Sequence, residues 1–225
     1  MSTGAAGIPA VSPTVPRSTT ELSRDGTDER GSAYKTWRAA AFEASGMRRL
    51  EHRRHGQRLP GGTHLSAEGV RKARIVGNSI GPFYRVVTSP RPRAIETAVA
   101  MGFAVDYEIP ELARFPEDLE PTAGTTAGER IPFDAWAREI KHNPRLKEYA
   151  ETQAFLWRSA LDDVPDGGHV LMISHGGIIE VGALGADFEG ARGLGDGLHY
   201  LEGVRLEWTG TKWGRMERVR SDEGP

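Results

Sequence analysis

The stretch Val170-Leu171-Met172-Ile173-Ser174-His175-Gly176-Gly177 joins an apolar run to a polar turn that contains two glycines. Four consecutive apolar residues between turn signals are typical of a buried strand, and Ser174-His175 follows directly at its end. An earlier run, Val86-Val87-Thr88, ends in the same way at Ser89-Pro90. Because open α/β sheets bind their ligands at the carboxyl ends of the strands, both polar segments are predicted to lie at a functional edge.

Helical patterns alternate with these runs along the chain. Ser66 is a predicted N-cap for a helix that continues to about Gly77, and Pro92 fits the first turn of the next helix. The other predicted elements are helices from Phe133 to Ile140 and from Arg145 to Leu161, and a hairpin of Val204 to Trp208 with the strand beginning at Trp213. Strands that alternate with helices indicate a layered α/β domain.

One predicted strand conflicts with its own composition. The run from Met47 to Arg54 reads Met-Arg-Arg-Leu-Glu-His-Arg-Arg, and it must be a central strand if Arg54-His55-Gly56 lies at the same edge as the other polar segments. Central parallel strands are normally apolar, because helices cover both of their faces. Hydropathy alone would place this run at the surface.

The composition excludes several kinds of site. The chain has 225 residues, a formal net charge of -2 and no cysteine, so thiolate nucleophiles, disulfides and cysteine-ligated zinc are ruled out. A chain of this charge lacks the concentrated basic face of most proteins that bind nucleic acid. No run approaches the roughly 18 apolar residues needed to span a bilayer, and no secretory signal is evident. We expect a cytoplasmic protein that binds neither nucleic acid nor membrane.

Two regions are predicted along the chain. Residues 1–46 begin with a long stretch rich in Ser, Thr, Gly, Pro and Ala without apolar periodicity, which is typical of a disordered or weakly ordered tail. Residues 47–225 carry the strand and helix patterns and are long enough for one domain. We therefore expect a single catalytic domain in residues 47–225.

Two histidines and two arginines in these segments could converge on one phosphoryl group. The guanidinium groups of Arg54 and Arg93 match the geometry of non-bridging phosphate oxygens. His55 is the candidate nucleophile, because an imidazole with an ordinary pKa near 6.5 is partly a free base at neutral pH and can attack phosphorus. His175, protonated or as a neutral donor, would add one more contact to the anion. These four residues form the predicted catalytic group.

The remaining predicted site residues are two glycines and a proton donor. Gly56 and Gly176 would let backbone amides approach the anion closely, so they are predicted to bind substrate. The leaving oxygen needs a proton, and a nearby carboxylic acid is the simplest donor. The segment from Glu111 to Asp118 supplies the candidates, and its spacing from the arginine segment favours Glu117, then Asp118, then Glu111.

The segments resemble the histidine phosphatase superfamily, also called the phosphoglycerate mutase-like family. The matching residues are Arg54-His55-Gly56, the Leu65-Ser66-Ala67-Glu68-Gly69 segment after it, Ser89-Pro90 with Arg93-Ala94 and Thr97-Ala98, and Ser174-His175-Gly176-Gly177. The resemblance implies a three-layer α/β sandwich with a mostly parallel central sheet flanked by helices. It also implies a phosphohistidine intermediate at His55, a phosphate pocket formed by Arg54, Arg93 and His175, and neither metal nor other cofactor.

The chain departs from the family pattern at two places. Gln57-Arg58 follows the first segment, and Arg58 adds a predicted basic contact to the substrate. The Leu-x-Glu pattern that usually carries the acid is not matched cleanly, because Leu112-Ala113 is followed by Arg114. The proton donor is therefore left open among the three acids.

Several functions remain open at this point. The leading hypothesis is a metal-independent phosphatase acting on a small phosphorylated substrate or a phosphoprotein. The alternatives are a phosphoglycerate-type mutase and a catalytically weak adaptor that binds a phosphorylated partner. A further alternative treats His52, His55 and His64 as metal ligands, although no carboxylate completes a recognisable set.

Overall fold

The computed structural model describes residues 46–119 and 130–221, apart from the side chain of Glu117. The predicted N-terminal tail falls outside these residues except for Gly46. Six strands and six α-helices occupy the described ranges. The strands are β1 (Arg48–Arg54), β2 (Arg85–Thr88), β3 (Tyr107–Glu108), β4 (His169–Ser174), β5 (Gly203–Trp208) and β6 (Trp213–Val219). The helices are α1 (Ala67–Gly77), α2 (Pro92–Ala100), α3 (Phe133–His142), α4 (Pro144–Ser159), α5 (Ile178–Ala186) and α6 (Phe188–Arg192). Two 3-10 turns, Pro110–Leu112 and Glu117–Leu119, lie between β3 and α3.

The six strands form one sheet in the order β3-β2-β4-β1-β5-β6. β3, β2, β4 and β1 are parallel to one another, while β5 runs antiparallel to β1 and β6 antiparallel to β5. β1 and β4 are paired over their full overlap, so Arg54 lies opposite Ser174. The ends of β1 and β4 therefore meet at one edge of the sheet, as the sequence predicts.

Helices cover both faces of the sheet, and the strand residues alternate between them. Val86 and Leu171 face a core formed with Ala73 of α1 and Ala98 of α2. The neighbouring strand residues face the opposite core, where Trp157 of α4 is fully buried together with residues of α3 and α5. The fold is therefore an α/β domain with a mostly parallel sheet between two helical layers.

The local signals for helix starts are confirmed. Ser66 is the N-cap of α1, and its hydroxyl accepts a hydrogen bond from the backbone N–H of Gly69 over 3.0 Å. Pro92 stands in the first turn of α2, where its missing N–H costs no intrahelical hydrogen bond. These signals act within a few residues, which is why sequence suffices to place them.

The polar strand β1 is central in spite of its composition. Glu51, His52 and Arg53 are all buried. Glu51 accepts hydrogen bonds from Arg53 over 2.5 Å and from Arg205 of β5 over 2.6 Å, and Arg53 also donates to the carbonyl of Leu201 over 2.7 Å. Buried charges are tolerated when they are paired and hydrogen-bonded in this way. Hydropathy fails here because two of the partners, Arg205 and Leu201, lie far away in the sequence.

The described residues include neither a helix that could span a membrane nor a cluster of metal-ligating side chains. In residues 46–119 and 130–221 every helix is too short or too polar to cross a bilayer. No three His, Asp or Glu side chains in those ranges are arranged to hold a metal ion. His52 instead pairs with Ser174 over 2.6 Å, and His64 pairs with Glu96. The histidine metal set is therefore not formed within the described part of the chain.

Candidate active site

Three segments meet at the carboxyl ends of the parallel strands. Arg54 ends β1 and is followed by His55, while Ser174 ends β4 and is followed by His175. The backbone N–H of His55 donates to the carbonyl of Ser174 over 2.9 Å, and the rings of the two histidines have centroids 5.1 Å apart. Arg93 reaches the same place from the first turn of α2. The structure thus brings together the four residues predicted as the catalytic group.

The hydrogen bonds of His55 fix its tautomer. Its Nδ1–H donates to the carbonyl of Gly56 over 2.7 Å, because a carbonyl can only accept. Its Nε2 accepts from the Nε–H of Arg93 over 3.0 Å and is therefore unprotonated. Burial lowers the pKa of His55 from 6.5 to about 3, and the charge of Arg93 acts in the same direction, while the Gly56 hydrogen bond opposes them. His55 is a free base across the physiological pH range.

His175 is held as a neutral imidazole. Its Nε2 lies 2.9 Å from the hydroxyl of Ser89, which itself accepts from the backbone N–H of Arg91 over 3.3 Å. The Nδ1 of His175 is a buried atom without a hydrogen-bond partner in the described residues. Burial and then the neighbouring His55 and Arg93 lower the pKa of His175 to about 2. Of the two forms predicted for His175, burial favours the neutral one.

Arg54 is enclosed on three sides. One terminal guanidinium nitrogen donates to the carbonyl of Leu198 over 2.6 Å. The ring of Tyr200 lies 4.7 Å from the guanidinium carbon, and a Cβ at Gly176 would approach that carbon to 3.3 Å. Its Nε is buried and has no hydrogen-bond partner within the described residues. Burial lowers the pKa of Arg54, whereas the negative charge of Glu180 raises it.

Thr97 connects the nucleophile segment to the helix that carries Arg93. Its hydroxyl accepts from the backbone N–H of Gly56 over 2.9 Å and donates to the carbonyl of Arg93 over 2.6 Å. The predicted amide contact of Gly56 with an anion thus involves an N–H that already has a partner. A Cβ at Gly56 would also lie 3.2 Å from the carbonyl oxygen of Gly69. A side chain there would therefore require its neighbours to shift by a few tenths of an ångström.

Arg58 and Arg91 lie around this group. Arg58 is exposed and donates to the carbonyl of Gly62 over 3.0 Å. The pKa of Arg93 is lowered mainly by the burial of Arg93 itself and next by the positive charge of Arg58. Arg91 is half-buried, and its Nε–H donates to the carbonyl of Ala113 over 3.1 Å. These two arginines add positive charge beside the histidines, and Arg91 connects α2 to the segment of the candidate acids.

Comparison with known proteins agrees with this geometry. Residues 48–218 match the family model of the histidine phosphatase superfamily, branch 1. The chain belongs to this superfamily. A search of curated proteins finds no match.

Solved structures share the fold of this histidine phosphatase superfamily member. A mutant phosphoserine phosphatase from Entamoeba histolytica in complex with phosphoserine is 16% identical, with a TM-score of 0.54 over 74% of this chain and 94% of that one. A mycobacterial glucosyl-3-phosphoglycerate phosphatase in complex with VO3 is 22% identical, with a TM-score of 0.51 over 75% and 96%. A phosphoglycerate mutase from Bacillus anthracis is 16% identical, with a TM-score of 0.51 over 76% and 92%. At these identities the likeness concerns the fold.

The candidate proton donors of the superfamily member differ in their surroundings. Glu111 is exposed in the first 3-10 turn. Asp118 forms an ion pair with Arg145 of α4. The side chain of Glu117, the first choice from sequence, lies outside the described residues. The choice among the three acids stays a prediction.

Glu180 and Tyr200 belong to the site and were not found from the sequence. The Glu180 carboxylate is buried and accepts from the backbone N–H groups of Gly177 and Leu198 over 2.7 and 2.9 Å. Burial raises its pKa. One signal was available for Glu180, because it is the only charged residue in the otherwise apolar run from Ile178 to Leu184. Tyr200 carries no comparable signal, since only the fold brings its ring to Arg54.

Proposed function

We propose that this chain is a metal-independent phosphatase that hydrolyses a phosphomonoester through a phosphohistidine intermediate at His55. The observation that carries the proposal is the tautomer of His55, whose Nδ1–H is bound to Gly56 and whose unprotonated Nε2 faces the guanidinium of Arg93. A neutral imidazole with an oriented lone pair needs no separate base to attack phosphorus. Membership of the histidine phosphatase superfamily supports the same chemistry.

The first step forms the bond between His55 Nε2 and phosphorus and breaks the bond between phosphorus and the ester oxygen. The leaving oxygen takes a proton from an acid, for which Glu117, Asp118 and Glu111 are the candidates. The Nε–H of Arg93, which His55 accepts in this structure, is then donated to a phosphate oxygen. In the second step water attacks the phosphohistidine, its proton passes to the same carboxylate, and phosphate leaves while His55 regains its lone pair.

The cations around His55 supply the stabilisation that such a transfer needs. The transition state spreads its negative charge over the equatorial oxygens, so positioned donors account for most of the catalysis. Arg54, Arg93 and neutral His175 surround the nucleophile, and Arg54 Nε and His175 Nδ1 are buried polar atoms without hydrogen-bond partners in the described ranges. We expect a phosphate oxygen to become the acceptor of the Arg93 Nε–H, which His55 accepts in this structure.

A panel of phosphomonoesters assayed in the presence of a chelator tests this function. The panel includes phosphoserine and phosphoglycerates, and it compares wild type with His55→Ala and Glu117→Gln. His142→Ala is the matched control, because His142 is an exposed histidine of α3 outside the site. We expect wild type and the control to turn over substrate in chelator, and His55→Ala to lose activity by at least about a thousandfold.

Trapping of the intermediate separates the mechanisms. Brief reaction with a radiolabelled substrate followed by denaturation should leave an acid-labile, base-stable label on wild type and none on His55→Ala. Label and turnover that survive His55→Ala would contradict the mechanism. Transfer of label to a second hydroxyl of phosphoglycerate would identify a mutase, and tight phosphate binding without turnover across the panel would identify an adaptor.

Arg58 is proposed to contact the substrate beside the transferred phosphoryl group. Its positive charge acts on both His55 and Arg93, yet it is exposed and bound only to a carbonyl among the described residues. We expect Arg58→Ala to raise KM several-fold and to change kcat little, because an exposed contact contributes mainly to binding. Arg71→Ala, at an exposed arginine of α1 paired with Glu68, is the control and should leave both constants unchanged. An unchanged KM for Arg58→Ala would remove Arg58 from the substrate site.

A further inference from the structure

Glu180 is a buried carboxylate that the proposed reaction does not use. It lies near the start of α5, in a run where every residue from Ile178 to Leu184 is buried. Burying a charge in such surroundings is costly unless hydrogen bonds compensate for it. Both of its oxygens are engaged, Oε2 by the N–H of Gly177 over 2.7 Å and Oε1 by the N–H of Leu198 over 2.9 Å. Because burying this charge costs free energy, we looked for a role of Glu180 beyond packing in the contacts that it makes.

The two hydrogen bonds join separate parts of the site. Gly177 belongs to the turn that carries His175, whereas Leu198 lies in the segment between α6 and β5. Leu198 also accepts, through its carbonyl, the hydrogen bond from Arg54 over 2.6 Å. A continuous chain of contacts therefore runs from the His175 turn through Glu180 and the Leu198 backbone to the guanidinium of Arg54.

Other contacts hold the same segment against Arg54. The backbone N–H of Leu201 donates to the carbonyl of Arg54 over 3.1 Å, and the ring of Tyr200 lies on its guanidinium. Leu201 has a φ of 65°, a left-handed conformation that is uncommon for a residue with a branched side chain. Such conformations persist where surrounding contacts enforce them, often at functional sites. The segment is thus fixed in a conformation that places Tyr200 and the Leu198 carbonyl on Arg54.

We propose that Glu180 is a positioning residue of the phosphate pocket, which fixes the guanidinium of Arg54 through the Leu198 backbone and ties it to the His175 turn. Glu180 also supplies the negative charge that most favours the cationic form of Arg54. The inference rests on the proposed function in that it assigns a phosphate group to Arg54 and His175.

Other helix caps in the molecule show what an ordinary cap does. Asp187 at the N-cap of α6 accepts from Gly190, and Asn143 at the N-cap of α4 accepts from Arg145 and Leu146. Both side chains bind only the first turn of their own helix in these contacts. Glu180 caps its helix from the third helical position, where one oxygen accepts from the backbone N–H of the N-cap residue Gly177. Its second oxygen binds a segment 18 residues away. That second contact is what a purely structural cap would not need.

Glu180→Gln and Asp187→Asn form a matched pair for the test. Each replaces a carboxylate that caps a helix by its amide. In Glu180→Gln the amide NH₂ must face one of two N–H donors, so either the Gly177 or the Leu198 contact is lost. We expect inorganic phosphate to bind Glu180→Gln about tenfold more weakly than wild type, as loss of one buried hydrogen bond at the pocket implies. Asp187→Asn should bind phosphate as wild type does.

The measurement is calorimetric titration of each folded variant with inorganic phosphate, with thermal unfolding recorded beside it. Unchanged phosphate affinity in Glu180→Gln would overturn the proposal, and so would equal losses of affinity in both variants. If Glu180→Gln does not fold, Glu180→Asp replaces it, because a side chain one methylene shorter keeps the charge but reaches only one of the two donors. Weaker phosphate binding by Glu180→Asp supports the role, and wild-type affinity contradicts it.

The result is separable from the proposed function. Wild type that binds phosphate but hydrolyses no ester would contradict the phosphatase and leave the role of Glu180 to be decided by the titration. Wild type that turns over esters, together with a Glu180→Gln variant of unchanged phosphate affinity and KM, would contradict only the positioning role.

Discussion

His55 and Arg93 meet through a single hydrogen bond whose donor must change partner during the reaction. The lone pair of His55 Nε2 that would attack phosphorus is the acceptor for the Nε–H of Arg93. An incoming phosphoryl oxygen is a stronger acceptor, because it is charged, and it would take this donor as the lone pair is freed. Arg93 therefore orients the nucleophile before substrate arrives and binds the phosphate afterwards.

The low pKa of His55 leads to a prediction for NMR. An ordinary histidine titrates near pH 6.5, whereas burial lowers the pKa of His55 to about 3. We expect the His55 ring in phosphate-free buffer to show no change in its ¹⁵N shifts between pH 5 and pH 8, with Nδ1 protonated throughout. The His55→Ala spectrum assigns the signal. A midpoint near 6.5 for that signal would show that His55 is not desolvated as described.

Thr97 gives a second prediction at the residue scale. Thr97→Val keeps the shape of the side chain but leaves the N–H of Gly56 without its acceptor, and such a loss costs about 1–3 kcal/mol. We expect a lower free energy of unfolding in urea and a lower kcat/KM, since Gly56 follows the nucleophile. Thr97→Ser should restore both values.

Thr152→Val is the control for this substitution. Thr152 is an exposed residue of α4 whose hydroxyl donates to the carbonyl one turn earlier, as that of Thr97 does. The control should change neither stability nor activity appreciably. Full activity in Thr97→Val would mean that the Gly56 contact does not position His55.

Helix α1 is placed against the nucleophile segment by a close backbone approach. A Cβ at Gly69 would lie 2.1 Å from the carbonyl oxygen of Gln57, a distance that no packing allows. The same carbonyl of Gln57 accepts a hydrogen bond from the backbone N–H of Ser66. This bond holds the start of α1 against the segment after His55. The glycine in this helix is required by its neighbour, and helix propensity alone would favour alanine.

Gly69→Ala tests this approach. Alanine raises helix propensity by about 1 kcal/mol, yet the clash must push α1 away from Gln57, and overpacking costs about 1–3 kcal/mol. We expect a net loss of stability in urea unfolding and a raised KM, because Arg58 follows Gln57. Gly193→Ala, at a helix end with a φ of -78° and no atom nearer than 3.7 Å to the new Cβ, should be neutral. A stabilised Gly69→Ala would disprove the close approach.

The whole molecule carries several neutral histidines in its interior. Burial lowers the pKa of His52 to about 3, of His55 to about 3 and of His175 to about 2. In the unfolded state each of these histidines has a pKa near 6.5. Below that pH the unfolded state therefore binds more protons than the folded state. The folded state is therefore favoured above pH 6.5, and stability is lost as the pH falls toward the folded-state values.

Urea unfolding at pH 6.5 and pH 5 in phosphate-free buffer measures this effect. The fully buried His52 alone should account for about 2 kcal/mol between the two values, at about 1.4 kcal/mol for each pH unit. His52→Asn should reduce the dependence on pH, while His142→Ala should leave it as it is. Equal stability at both pH values would contradict neutral burial of these histidines.

Much of the fold could be read from the sequence because its signals are local. Apolar runs, the Ser66 cap and Pro92 act on neighbours in the chain, and each led to the observed element. The polar strand β1 shows the limit. Its Glu51 is compensated by Arg205, a residue 154 positions away, so only the assembled sheet makes its burial acceptable.

The candidate site also has features that follow from the local sequence and features that depend on tertiary contacts. The sequence by itself determined which side chains lie at the strand ends, because Arg54-His55 and Ser174-His175 directly follow or end their strands and parallel strands share an edge. The tertiary structure decided the rest. The tautomer of His55, the neutral state of His175 and the link from Glu180 to Arg54 depend on burial and on partners that are distant in the sequence. Ser89 and His175 are 86 residues apart, and Arg54 and Leu198 are 144 residues apart. Charge and proton positions follow from the surroundings of a group in space, and those surroundings exist only once the chain is folded.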